Sequence, residues 1–140
     1  MELLSAYSTP PQLGTSGKPL LFDKNSLIYG NAVTHVEGSG TFKIDEPGIY
    51  FISYNGGMSP AKGVSFPMNI IVYLEVNGTA VPGTNSQHTF QSSSESINQS
   101  FSVPIEIVSA PAILTIVATG GKFFYSTSTV TIQKLGELSS

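Results

Sequence analysis

The stretch GTFKIDEPGIYFISYN, Gly40 to Asn55, decides how this chain reads. Thr41–Ile44 has the alternation of a short strand, and Glu46-Pro47-Gly48 has the composition of a turn. Ile49–Tyr54 then runs Ile-Tyr-Phe-Ile-Ser-Tyr, apolar at successive positions rather than at alternate ones. A strand in a small all-β domain normally shows one face to the core and one to water. Here Ile49 and Phe51 lie on one face and Tyr50, Ile52 and Tyr54 on the other, so both faces call for cover. Either a second subunit supplies it, or the protein's own first residues or a long loop do, and the residues leave the two open. Burying a large apolar side chain is worth about 1.5–3 kcal/mol, so aromatics on an outward face favour association.

The flanking sequence extends the same pattern. Short runs of β-branched and aromatic residues are cut by 14 Gly and 9 Pro. Strands are expected at Leu3–Tyr7, Leu20–Phe22, Val33–Val36, Thr41–Ile44, Ile49–Asn55, Met68–Val76, Thr79–Val81, Gln87–Gln91, Ile97–Ile107, Ala112–Thr119 and Ser128–Leu135. Met68–Val76 alternates, with Met68, Ile70, Val72, Leu74 and Val76 on one face, and Phe101–Ile107 does the same. Ala112–Thr119 is apolar on both faces, as Ile49–Tyr54 is. Asn77-Gly78 suits the positive φ angles of a type I′ turn, which pairs Leu74–Val76 with Thr79–Val81. Ser92–Ser96 is expected to be a mobile loop. Many short strands at this spacing predict an all-β sandwich or barrel. Residues 1–19 read as an N-terminal leader with at most an edge strand, and residues 20–140 as the domain proper.

Composition excludes several function classes. The chain has 140 residues, a net charge of −3 and no Arg, which argues against a grip on nucleic acid. Cysteine is absent, so there is no disulfide, thiolate chemistry or Cys-based zinc site. No segment has the length of a membrane-spanning helix, and the first residues lack the basic start and long apolar run of a signal peptide. His35 and His88 are the only histidines, and spacing supplies neither with catalytic or metal-ligating partners. Asp45 and Glu46 are adjacent but flank a turn, and no Asp-rich calcium loop is present. GTSGKP is rejected as a phosphate loop, because Pro19 stands where Ser or Thr must bind magnesium and Gln12 where the first Gly belongs. No Gly-x-Ser-x-Gly elbow exists. Asn77-Gly78-Thr79 and Asn98-Gln99-Ser100 match the glycosylation sequon at the rate chance predicts. The chain reads as a non-enzyme without a resident cofactor.

A family resemblance sharpens this. Phe42, Gly48, Tyr50 and Phe51 in GTFKIDEPGIYFISY resemble the signature of TNF/C1q-like jelly rolls, with Ile52 where vertebrate members usually carry Phe. LIYGNAVTHVEGSGTFKI, IVYLEVNGTAVPGTNS, ILTIVATGG and STSTVTIQKLG together resemble, in order, the C-terminal domain of BclA-type spore-surface collagen-like glycoproteins. The resemblance implies a jelly roll of two antiparallel sheets that assembles as a homotrimer, a structural head on the exosporium. It implies that Tyr50, Ile52 and Tyr54, with Phe124 and Tyr125, line the trimer interface. The wider family includes calcium binders, so the resemblance leaves room for a calcium ion between subunits. The collagen-like Gly-X-Y stalk of the relatives is not in this sequence. The alternative role is an adhesin or lectin-like module on a cell, spore or phage surface, with Tyr29, Phe124 or Tyr125 stacking on a glycan.

Overall fold

The computed structural model describes residues 1–139, and among these there are strands, turns and bends but no helix. Twelve strands follow one another: β1 (Leu3–Ser8), β2 (Gln12–Gly14), β3 (Lys24–Tyr29), β4 (Val33–His35), β5 (Phe42–Ile44), β6 (Gly48–Pro60), β7 (Met68–Val76), β8 (Thr79–Ala80), β9 (Ser86–Phe90), β10 (Ile97–Ile107), β11 (Ala112–Thr119) and β12 (Phe123–Gly136). They form two antiparallel sheets. One runs β10-β6-β12-β1-β3, with β2 beside the start of β12. The other runs β4-β5-β11-β7-β8, with β9 also on β7. The expected all-β jelly-roll sandwich is therefore the observed class.

Apolar alternation fills the space between the sheets. From the first sheet come Leu4, Ala6, Tyr50, Ile52, Tyr54, Met58, Phe123, Val130 and Ile132. From the second come Phe42, Ile44, Ile70, Val72, Leu74, Phe90, Leu114 and Ile116. The Asn77-Gly78 turn is as expected, with φ of 51° and 82° and Val76 opposite Thr79. Asn77 Oδ1 also accepts from the Ile113 amide at 2.8 Å, which ties the hairpin tip to β11.

Three expectations are corrected. Residues 1–19 are not a leader outside the domain. β1 is an interior strand, paired along its length with β12 on one side and with β3 on the other, and Leu4 and Ala6 are fully buried. The edge is β3, a strand the sequence reading lacked. Leu20–Phe22 makes no strand of the sheets, although Leu20 and Phe22 are buried and the Leu20 amide donates to the Ile116 carbonyl at 2.8 Å.

The segment after β9 is pinned by a side chain. One oxygen of Glu95 accepts the backbone amides of Gln91 and Ser92, and the other lies 3.4 Å from His88 Nε2. The Gln91 and Ser92 amides hold the Glu95 carboxyl below its usual value, with His88 adding to this. A carboxylate whose native pKa is depressed contributes stability above the unfolded pKa, and this is lost as pH falls through the native one. The protection of the Gln91 and Ser92 amides, taken relative to the intrinsic exchange rate at each pH, is accordingly expected to fall on acidification through that window. Glu95→Gln should remove the pH dependence, and identical exchange in the two proteins across the window would refute the pinning.

Candidate assembly face

β6 alternates strictly over its first seven residues, with Gly48, Tyr50, Ile52 and Tyr54 buried and Ile49, Phe51 and Ser53 half-exposed. The strand with two greasy faces thus has one core face and one outward face. Among the described residues the N-terminal segment does not lie over the outward one, because β1 is in the sheet beside β12.

Register places outward residues in rows across the five strands. The first row is Tyr29, Leu3, Gln133, Phe51 and Pro104. The second is Leu27, Ser5, Thr131, Ser53 and Ser102. Neither holds a charged residue. The first is mostly apolar, with Tyr29 54% exposed, and Ile49 adjoins it one step along. The second is a hydroxyl belt, in which Ser5 Oγ and Thr131 Oγ1 are 3.0 Å apart. A sheet face that is apolar at one end and neutral throughout these rows desolvates at less cost than a charged one.

Lys134, opposite Tyr50 and so on the core side of β12, clamps the end of the sheet. Its Nζ donates to Glu46 Oε1 and Glu137 Oε1, both at 2.7 Å. The Glu137 and Glu46 carboxylates raise its pKa, so the ammonium stays charged throughout the neutral range. The Lys134 stem crosses Gly48, where an added Cβ would lie 2.6 Å from Lys134 Cε and 2.9 Å from the Gly136 carbonyl oxygen. This close approach is why glycine precedes Ile49-Tyr50. Tyr50 completes the corner by donating its hydroxyl to the Glu46 carbonyl at 2.7 Å. Gly48→Ala is expected to lower stability by roughly 1–3 kcal/mol through overpacking. The urea midpoint should fall at constant m-value, and an unchanged midpoint would mean that the corner relaxes freely.

The interface set drawn from the resemblance is largely corrected. Tyr50, Ile52 and Tyr54 are at most 1% exposed within the single chain and belong to its own core, as does Tyr125. They have no surface to offer a second copy. The physical reason is parity: when both faces of a strand are apolar, the residues do not say which set points inward, and a one-residue slip exchanges them. Phe124 does lie outward, 36% exposed and opposite Ser59 and Leu13. Tyr125 is also lost to glycan stacking, since its hydroxyl sits inside, accepting from the Leu21 amide at 3.0 Å and donating to Gln12 Oε1. Leu3, Leu27, Tyr29, Ile49 and Phe51 are the outward residues the sequence reading did not assign to the interface.

The histidines lie apart. His35 stacks on Phe42 at 4.3 Å, with its ring nitrogens 2.6 Å from Asn25 Oδ1 and 2.8 Å from the Ser39 carbonyl oxygen. Among the described residues no group of three or more His, Cys, Asp or Glu is placed to hold a metal. An open cleft of about 470 Å³ beside Lys134 includes Glu2 and Glu46. Its charged groups are engaged: Glu2 Oε1 accepts the Asn31 and Ala32 amides at 3.0 and 2.7 Å, and Glu46 holds Lys134.

No protein-family model and no curated protein matches this sequence. Solved structures do match by fold. The globular domain of zebrafish complement 1qA superposes with a TM-score of 0.74 at 10% identity, over 99% of this chain and 100% of that one. Eiger TNF from S. frugiperda gives 0.70 at 11%, over 99% and 95%. Murine APRIL at pH 5.0 gives 0.69 at 12%, over 96% and 98%. At such identities the likeness is one of fold, and the fold is the TNF/C1q jelly roll.

Proposed function

We propose that this chain is a non-enzymatic head domain that assembles as a homotrimer through the outward face of the β10-β6-β12-β1-β3 sheet. The observation that supports this best is the row of Tyr29, Leu3, Phe51 and Pro104, a neutral and largely apolar strip on an uncovered sheet. Copies related by a rotation axis that bring this strip together close the assembly, and a three-fold ring is the smallest such closure beyond a dimer. The TNF/C1q fold and the sequence resemblance to spore-surface heads favour three. They also favour an extracellular setting, and more narrowly the exosporium of a bacterial spore. Low charge, absent cysteine and a surface rich in Ser and Thr suit a durable outer layer, and the assembly needs no cofactor. The test is the solution mass of the purified chain by light scattering. Three times the 14.8 kDa of one chain supports the reading. A single-chain mass at all concentrations overturns it.

A further inference from the structure

His35 sits where the two sheets meet along one edge. It ends β4, the edge of one sheet, and its ring reaches Asn25 near the start of β3, the edge of the other. The ring is 9% exposed and stacks nearly flat on Phe42, at 4.3 Å with 13° between the planes. Each ring nitrogen faces an oxygen. Nδ1 is 2.6 Å from Asn25 Oδ1, and Nε2 is 2.8 Å from the Ser39 carbonyl oxygen.

Neither oxygen can serve as a donor. A backbone carbonyl only accepts, and that of Ser39 also takes the Phe22 amide at 3.2 Å. The Asn25 carboxamide is oriented by its other end, since Nδ2 donates to the His35 carbonyl at 2.8 Å. Flipping it would set Oδ1 against that carbonyl, which moves the conflict without removing it. A neutral imidazole has one N–H and one bare lone pair. Whatever its tautomer, and whichever way the carboxamide points, it leaves two acceptors face to face. Only a ring with hydrogen on both nitrogens satisfies every group. Burial works against the charge of that ring, while two charge-assisted hydrogen bonds and the electron-rich face of Phe42 work for it.

The geometry assigns to His35 the role of a proton-held clasp, in which the doubly protonated ring donates to Asn25 on β3 and to Ser39 on the turn between β4 and β5, tying the two sheets together at this edge. The charged groups on the elements around it, among the described residues, are Asp23 and Lys24 beside Asn25, Glu37 on the turn, and Lys43 beside Phe42 on β5. None of them bonds to the ring. Asp23 accepts from Ser8 Oγ, Glu37 accepts the Asn25 amide, Lys43 pairs with Asp45, and Lys24 lies opposite the exposed Tyr7. The clasp therefore depends on the ring's own second proton. A fold that takes up a proton is stabilised at low pH and loses that stabilisation as pH rises through the ring's titration. β3 also supplies Leu27 and Tyr29 to the outward face. An effect on assembly rests on the function proposed above, whereas the clasp lies within one chain.

The experiment is NMR of the imidazole nitrogens of the full chain across a pH series. Amide exchange at Asn25, taken relative to the intrinsic rate at each pH, is read alongside. In the wild type both His35 nitrogens should carry hydrogen wherever the Asn25 amide is protected, and protection should fall as the second proton leaves. Asn25→Ala removes one acceptor, so a neutral ring that donates to Ser39 is then satisfied. In that variant the ring should hold its second proton about tenfold less tightly or weaker still, the worth of one charge-assisted hydrogen bond. A single protonated nitrogen in the wild type, at a pH where Asn25 is protected, overturns the assignment without any variant. So does protection that stays constant through the ring's titration, and so does an equal titration in Asn25→Ala. All three readings are taken within one chain, so they stand or fall separately from the three-chain mass.

Discussion

Tyr54→Asp is expected to abolish folding rather than release a folded subunit. Tyr54 is 1% exposed, its ring stacks on Phe101 at 5.5 Å, and it packs in the centre of the sandwich core. Removing a buried aromatic costs about 3–5 kcal/mol. An unpaired carboxylate in the same place adds several more, or forces the group to take up a proton. Together these approach or exceed the ~5–15 kcal/mol that holds a typical domain folded. The variant should therefore lose its cooperative melting transition and accumulate as aggregate. Tyr54→Phe provides the contrast. The phenol is buried with no hydrogen bond of good geometry, only Ser128 Oγ beside it, which opposes the upward push of burial on its pKa; both sit over Gly56, where an added Cβ would lie 2.5 Å from the Tyr54 hydroxyl. Deleting an unpartnered hydroxyl is close to neutral or stabilising. Its melting temperature should match or exceed the wild type. A soluble, cooperatively melting Tyr54→Asp would show instead that this side chain reaches the surface.

What could be read in the sequence divides along a physical line. Strands whose two faces differ in polarity announced themselves, and β7 and β10 lie where the alternation of Met68–Val76 and Ile97–Ile107 put them. The Asn77-Gly78 turn was legible because its backbone demands residues that tolerate positive φ. Parity in β6 was not legible, because Ile49 and Phe51 are as apolar as Tyr50 and Ile52. The only asymmetry is at its start, where Gly48, on the buried side, leaves room for the Lys134 stem. β3 was missed for the opposite reason. Its sequence, KNSLIY, carries no burial pattern, and the strand is held by its backbone pairing with β1 while most of its side chains stay exposed. The interior place of β1 was hidden in the same way, because strand order is a non-local property that LLSAYS does not encode. One signal was available and unread. Ser92-x-x-Glu95 is a spacing in which a carboxylate reaches back to free amides, as Glu95 does. The strand with two apolar faces was thus legible in the sequence, and which of its faces points outward was not.

Phe51→Asp is the substitution that separates face from core, and its expected effect is a threefold fall in mass with the fold retained. Phe51 is half-exposed in the single chain, between Gln133 on β12 and Pro104 on β10, so a carboxylate there remains hydrated in a free subunit. Its cost to the fold should be small, since surface substitutions usually lie within about ±0.5 kcal/mol, with some loss of β-propensity added. In an assembly closed by rotation the same change appears once in every copy. Each carboxylate would then be desolvated against a neutral, apolar strip with no cation in the first two rows to pair it, a penalty of several kcal/mol per site. The wild-type melting temperature should rise with protein concentration, because unfolding is then linked to dissociation, and in Phe51→Asp this dependence should vanish. Thr34→Asp, on an exposed position of β4 in the opposite sheet, is the matched control and should leave the mass unchanged. A three-chain mass that survives Phe51→Asp would move the interface off this sheet, and the apolar row would then need another partner.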